Sequence, residues 1–209
     1  MKSLVEKGLI SRKLLKWELS KSIKEIEIPS NLKEIIKKSI ENLKLSNNEK
    51  KTLQYFTLLN KPITIEEFKK ILPSEIDINL KDFFIDLENI ELLISEKQQN
   101  IETKKSLSLS YSFTHSLIHE VIEEEIIEKQ EFHHHIAQRI EDIYKDKLDE
   151  YIDELANHYS QTDDMEKAIH YLEKAGDKAK ENYENEKAIC YYDKLISLMI
   201  LLINKRRHI

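Results

Sequence analysis

The sequence predicts a mainly α-helical protein with a small β-wing, followed by an array of antiparallel helices. The composition favours helices over sheets, because the 209 residues include only two glycines and three prolines, and 34% of them are charged. The segment EKAIHYLEKA at 166–175 also recurs twenty positions later as EKAICYYDKL at 186–195. A short repeat of this kind indicates stacked helices.

Around both copies, small and large residues recur with the same gaps of three, nine, four and three positions. The first set is Ala156, Tyr159, Ala168, Leu172 and Ala175, and the second set is Gly176, Ala179, Ala188, Tyr192 and Leu195. Small residues let two helices approach closely, and large residues fill the groove between them. The pattern predicts a tetratricopeptide-like (TPR-like) array over 114–200, in which both repeats share a long helix at 164–182.

The first 28 residues are predicted to contain one small hairpin. The stretch 1–7 has the pattern of a helix end, and Gly8 follows as a stop signal. The stretches 9–12 and 16–20 alternate around a short connection, which predicts two paired strands carrying Trp17.

Residues 29–113 show the order of elements found in a winged-helix domain. Helices are predicted over 32–43, about 48–59, 65–72 and from Asp77 onward. Thr64 and Glu67 have the spacing of a capping box before the short helix. Strand-like runs at 92–95 and 107–113, separated by a polar loop, form the expected wing. This region is therefore predicted to be winged-helix-like.

The chain is predicted to be helical from Thr114, which is expected to cap a helix, to about residue 200. Further helices are expected over about 129–144, 147–159 and 164–182. Asp164 lies where an N-cap belongs for the last of these. The repeat pattern does not continue in the segment 201–209, which is expected to be an irregular tail.

The charge distribution disfavours nucleic acid and membrane partners. Residues 114–209 carry thirteen basic and twenty-two acidic side chains, and an acidic array repels phosphates and anionic lipids. The expected third helix of the winged-helix region carries four acids, Asp77, Asp82, Asp86 and Glu88, against the single Lys81. That helix enters the major groove when such a domain binds DNA, so DNA binding is disfavoured here.

No catalytic motif or cofactor site is expected. A phosphate-binding loop needs closely spaced glycines, whereas the only glycines are Gly8 and Gly176. Cys190 is expected to be a buried packing cysteine rather than a nucleophile, and a single cysteine is typical of a reducing, cytoplasmic location. The longest apolar run, 198–203, is too short to span a bilayer.

The histidines do not predict a metal centre. His115 and His119 share one helical face, as zinc ligands do, but no third ligand follows at a defined spacing. His133 and its two neighbouring histidines splay by about 100° each on a helix and cannot close on one ion. No metal is therefore expected.

Several segments together resemble the region that follows the ATPase core in STAND-type signalling ATPases, including those of soluble adenylate and guanylate cyclases. They are GLISRKLLKWELS (8–20), IPSNLKEII (28–36), YSFTHSLIHEVI (111–122), EFHHHIAQRIEDIY (131–144), LANHY (155–159) and the two EKAI segments. The sequence departs from these relatives at Glu123, where an aromatic is usual, and at Lys129 and Gln130, which replace paired arginines.

The resemblance implies a non-catalytic regulatory and protein-interaction region that is a fragment of a longer chain. Residues 1–28 would be a remnant of the ATPase core, the winged helix would pack on that core in cis or in trans, and the repeats would dock protein partners. The residues that carry the family motifs are Phe113, His115, Glu120 and His133. The alternative is a free-standing winged-helix transcription regulator with TPR-like repeats.

Overall fold

The computed structural model describes residues 10–13, 16–19, 30–59, 61–99 and 107–207. The chain divides into two compact units, Met1–Lys44 and Leu45–Ile209. The described residues are mainly α-helical, with a small antiparallel sheet as the β-wing, which confirms the predicted fold class. None of the described helices combines the length and the apolar character that crossing a membrane requires.

In the part of the first unit that the structure describes, two strands form the predicted hairpin and a helix follows. Strands β1 (Ile10–Lys13) and β2 (Lys16–Leu19) are antiparallel, with Arg12 opposite Trp17. Helix α1 (Ser30–Glu41) leaves Ile35 58% exposed. The predicted helix end at 1–7 and the stop at Gly8 lie outside the described residues.

The second unit begins with the winged-helix-like elements. They are α2 (Asn47–Leu59), β3 (Ile63–Thr64), α3 (Ile65–Ile71), α4 (Leu80–Asn89), β4 (Leu93–Gln99) and β5 (Leu107–Phe113). Strand β5 lies between β3 and β4 and is antiparallel to both. The ring of Phe56 contacts Phe68, Phe84 and Phe113 edge-on, at centroid distances of 5.1–5.8 Å.

These elements differ from the prediction in two respects. The helix expected to open the winged-helix region, α1, belongs to the first unit, whereas the rings around Phe56 come from α2, α3, α4 and β5 of the second unit. Helix α4 begins at Leu80 rather than Asp77, since the Asn79 side chain caps it by accepting from the backbone N–H of Asp82. The predicted capping box of Thr64 and Glu67 is confirmed.

The array follows directly from β5. Its elements are α5 (Ser116–Glu124), α6 (Lys129–Ile143), a 3₁₀ segment (Lys145–Tyr151), α7 (Ile152–Tyr159), α8 (Met165–Glu181) and α9 (Asn185–Arg207). Consecutive helices from α6 to α9 pack on one another. Asp164 caps α8 as predicted, by accepting from the Lys167 N–H at 3.1 Å.

Three expectations for this half are wrong. His115, not Thr114, is the N-cap of α5, because His115 is the last residue with an extended backbone. The helix expected over 147–159 is divided between the end of the 3₁₀ segment and α7, since Tyr151, the N-cap of α7, has a non-helical backbone. The segment 201–207 is the end of α9 rather than an irregular tail, because its sequence contains neither glycine nor proline. Residues 208 and 209 lie outside the described residues.

The winged-helix-like part and the array are packed together, so the predicted boundary at 113/114 does not separate two units. Helix α2 packs on both α5 and α6. The rings of Tyr55 and Phe132 meet at 4.7 Å, and Arg139 Nη2 donates to the Lys70 carbonyl at 2.7 Å. Both contacts join α6 to the winged-helix-like part and hold the start of the array in place.

Candidate interaction surface on the helical array

The ten predicted repeat residues form the interior of the array. Eight are buried: Ala156, Tyr159, Ala168, Leu172, Ala175, Gly176, Ala179 and Ala188. Tyr192 and Leu195 are half-buried. These side chains therefore hold α7, α8 and α9 together and position the outer surface, but most of them are inaccessible to a partner.

A carboxylate network fixes α8 against α6 and α7. Glu141 Oε2 accepts hydrogen bonds from the Tyr159 hydroxyl at 2.7 Å and from Lys167 Nζ at 2.6 Å. Its Oε1 accepts from the Tyr171 hydroxyl at 2.7 Å. The rings of Tyr159 and Tyr171 stack, with their centroids 5.3 Å apart. Three helices are thus joined at one side chain.

This network shifts the acidities of its members. Partial burial opposes the charge on Glu141, but the hydrogen bonds from Lys167, Tyr171 and Tyr159 outweigh it and lower the pKa of the carboxyl. Burial, together with the nearby carboxylate, raises the pKa of both tyrosine hydroxyls. The carboxylate is consequently a structural acceptor and is not poised to exchange protons near neutral pH.

Helix α9 is also attached to α7. Asp153 Oδ2 accepts from Lys187 Nζ at 2.6 Å, and Asp153 Oδ1 accepts from the Tyr191 hydroxyl at 3.0 Å. Lys194 Nζ lies 3.5 Å from Asn157 Oδ1. Because these contacts are spread along one side of α9, they set its angle to α7, and α8 packs on another side of the helix.

An open groove of about 580 Å³ runs along α9, beside the turn that follows α7. It is lined by Ser160, Gln161, Glu186, Ile189, Cys190, Asp193, Lys194, Ser197 and Leu198. We call it the α9 groove. Its apolar members come from α9, and two acids, Glu186 and Asp193, stand among them. The groove can therefore accept a ligand that offers both apolar and basic groups.

Cys190 lies in this groove with its thiol exposed, so the expectation of a buried packing cysteine is wrong. The residue belongs to the helical repeat, but it lies on the side of α9 that packs against neither α8 nor α7. The repeat pattern alone could not show that Cys190 is exposed. It indicates which residues of α9 face α8, but not which of the remaining sides of α9 is covered by α7.

The four family-motif residues are not brought together. Phe113 is half-buried against Phe56 and His119, His115 caps α5 without a side-chain hydrogen bond, and Glu120 is exposed on α5. His133 lies on α6 and contacts α7 instead. The structure therefore gives these residues separate packing environments and does not assemble them into one site.

The histidines make pairwise contacts with the fold. His119 Nε2 lies 2.9 Å from the Thr57 carbonyl oxygen, so it joins α5 to α2. The Nδ1 atoms of His133 and His158 lie 2.8 Å apart, so one nitrogen donates and the other accepts. Burial lowers the pKa of His133 to about 4 and that of His158 to about 3. Across the described residues, no group of three or more His, Cys, Asp or Glu side chains could hold a metal ion.

Comparisons of the chain with protein-family models, with curated proteins and with solved structures returned no match.

Proposed function

We propose that the chain is a non-catalytic regulatory and protein-interaction region of the kind that follows the ATPase core of STAND-type signalling ATPases. In this proposal the helical array binds a segment of a partner protein in the α9 groove. The winged-helix-like part packs on the ATPase core, in cis or in trans. The observation that carries the docking part of the proposal is the α9 groove itself, an open channel with apolar and charged side chains along α9.

The charges of the groove indicate the chemistry of the partner segment. Glu186 and Asp193 are exposed beside Ile189, whereas the one cation, Lys194, lies against Asn157. The surrounding region, 114–209, has nine more acidic than basic residues. An amphipathic helix that places apolar side chains in the groove and basic side chains at its rim satisfies both features.

A peptide-selection experiment tests the groove. Displayed libraries of amphipathic helical peptides are selected against the full chain, and enriched peptides are titrated by calorimetry. We expect basic amphipathic sequences whose affinity falls by about tenfold or more in the Asp193→Lys variant. The matched control is Glu173→Lys, which reverses an exposed acid on α8 outside the groove and should leave binding unchanged.

Cys190 supplies a second readout of the same site. It is the only cysteine of the chain, and its exposed thiol lies in the groove. A bound peptide should slow alkylation of this thiol by iodoacetamide, followed by mass spectrometry. Peptides that bind equally well to Asp193→Lys and leave the alkylation rate unchanged would refute the groove as the docking site.

The non-catalytic part of the proposal has its own test. A phosphate-binding loop is absent from the sequence, so the purified chain should turn over neither ATP nor GTP above background. Steady-state turnover of either nucleotide would overturn the claim that the chain is non-catalytic. The mass of the native polypeptide in its own cells tests the parentage, because an attached ATPase core would make it far larger than 24.9 kDa.

The order of helices, strand and wing favours a second candidate, a DNA-binding transcription regulator. The exposed side of α4 weakens it, because Asp82 and Asp86 are exposed there with only Lys81 as a cation. Glu88 is turned to the wing, where it accepts from the Ser95 hydroxyl at 2.6 Å. An anisotropy titration at physiological salt should show nothing tighter than about 10⁻⁴ M, whereas sub-micromolar, sequence-dependent binding would favour the regulator.

A further inference from the structure

The outer face of α9 is apolar and uncovered. Isoleucines at 189, 196, 200 and 203 recur at intervals of seven, four and three, which places them on one side of the helix. They are between 52% and 59% exposed, and Met199 beside them is 45% exposed. The face extends for about 21 Å along the helix. We call it the isoleucine face.

A further closely packed helix of the same array does not fit this face. On α8, the small residues Gly176 and Ala179 allow close packing, and Gly176 lies against the ring of Tyr192 on α9. Twenty positions later, the equivalent residues of α9 are Ile196 and Met199. Large side chains at these positions would keep a neighbouring helix further from α9 than α9 is from α8. The distance between the two helix axes would be the one at which large side chains interdigitate.

The charges at the two ends of α9 favour an antiparallel neighbour of the same sequence. Glu186 is exposed in the first turn of the helix, Glu184 precedes the helix and pairs with Lys187 at 3.2 Å, and the last turn has the sequence KRR at 205–207. A two-fold axis near Ile196 would place position 186 of one copy opposite position 206 of the other. The acidic start of each helix would then lie beside the basic end of its partner, and the helix dipoles would also be opposed.

We propose that a second copy of this chain covers the isoleucine face, forming a two-fold symmetric dimer through antiparallel α9 helices. The symmetry makes the interface self-complementary, because Ile196 meets its own copy and Ile189 meets Ile203. A parallel pair would instead align acids with acids and bases with bases. The dimer does not rest on peptide binding in the α9 groove, although Ile189 lies at the edge of both surfaces.

Light scattering and sedimentation of the full chain test the dimer. We expect a mass of about twice 24.9 kDa that falls to the single-chain mass in the Ile196→Glu/Ile200→Glu variant. Far-UV circular dichroism verifies that this variant remains folded. The control is Ile127→Glu, since Ile127 is 96% exposed and lies outside α9, and this variant should remain dimeric. A chain that is monomeric throughout, or a dimer that survives the double substitution, overturns the proposal.

Cysteine cross-linking tests the antiparallel arrangement. In a Cys190→Ser background, Ile196→Cys should form a disulfide-linked dimer on oxidation, because residue 196 lies near the axis. Ile203→Cys alone should not, since its own copy would be about 21 Å away along the helix. A mixture of Ile189→Cys and Ile203→Cys chains should cross-link to each other. Cross-linking of Ile203→Cys to itself would show a parallel pair and overturn the proposal.

Discussion

A Cβ atom built on Gly176 would lie 2.6 Å from Cε1 of Tyr192. Helix α9 therefore packs so closely on α8 that the glycine has no room for a methyl group. The Tyr192 ring is held in this position by its hydroxyl, which donates to Asp177 Oδ1 at 2.7 Å. The contact explains why a helix-disfavouring residue stands in the middle of α8.

The effect of Gly176→Ala on the free energy of unfolding should change sign when Tyr192 is replaced. Alanine stabilises a helix by about 1 kcal/mol relative to glycine. Overpacking against Tyr192 opposes this by about 1–3 kcal/mol, so the single variant should be destabilised by up to about 2 kcal/mol. In a Tyr192→Ala background, the same substitution should stabilise by about 1 kcal/mol. Urea unfolding of the four proteins measures the difference, and equal effects in both backgrounds would contradict the contact.

Ala168→Leu and Ala188→Leu should each destabilise the array by about 1–3 kcal/mol, because both alanines are buried between packed helices. Lys174→Leu, at an exposed position of α8, serves as the control and should change the stability by less than about 0.5 kcal/mol. Thermal and urea unfolding provide the measurements. If both alanine variants unfold like the original chain, 155–195 is not a closely stacked repeat.

The elements of the array could be predicted where one local signal fixes them. Asp164 marks the start of α8, and the spacing of small residues identifies the buried face, so both agree with the structure. Strand β3 could not be predicted, because it has only two residues and exists through pairing with Tyr111 and Ser110, far along the chain. Its stability comes from tertiary contacts and leaves no local pattern.

The candidate surface was less predictable than the fold. The repeat predicts Tyr159 to be a packing residue, whereas the hydroxyl contacts of Tyr159 and Tyr171 to Glu141 depend on how α6 lies against α7 and α8. The exposure of Cys190 depends in the same way on the angle between α7 and α9. Periodicity shows that a helix has a buried side, whereas the groove lies between α9 and the turn after α7 and depends on how the two are placed.

Glu141→Gln should destabilise the chain by about 1–3 kcal/mol near neutral pH, since the carboxylate accepts three hydrogen bonds and one comes from a cation. The folded-state pKa of Glu141 is lowered, so its contribution is present above the ordinary pKa of about 4.3 and is lost as the pH falls through the folded-state value. The difference between variant and original chain should therefore shrink in acid.

The matched control for Glu141 is its neighbour Asp142. The Asp142 side chain is 60% exposed and lies 3.8 Å from Lys145 Nζ, so Asp142→Asn should change the stability by less than about 0.5 kcal/mol. Urea unfolding at neutral pH and at a pH below about 4 compares the variants. A Glu141→Gln effect that is equal at both pH values would show that the charge of Glu141 does not stabilise the fold.

The pair of half-buried His133 and buried His158 should make stability fall as the medium becomes mildly acidic. Burial lowers the pKa of His133 to about 4 and that of His158 to about 3, whereas both are near 6.5 in an unfolded chain. As the pH falls below about 6.5, the unfolded chain binds protons that the folded chain does not, so stability is present above that value and declines below it.

Thermal unfolding between pH about 6.5 and 5 separates the titration of histidines from that of most carboxylates, which remain ionised in that range. The melting temperature should fall across it in the original chain, and the fall should be clearly smaller in His133→Leu, which has one buried imidazole fewer. His170→Gln is the control, since His170 is exposed on α8, and it should retain the full decrease. If His133→Leu also retains it, the acid sensitivity arises elsewhere and the two imidazoles are not kept neutral by burial.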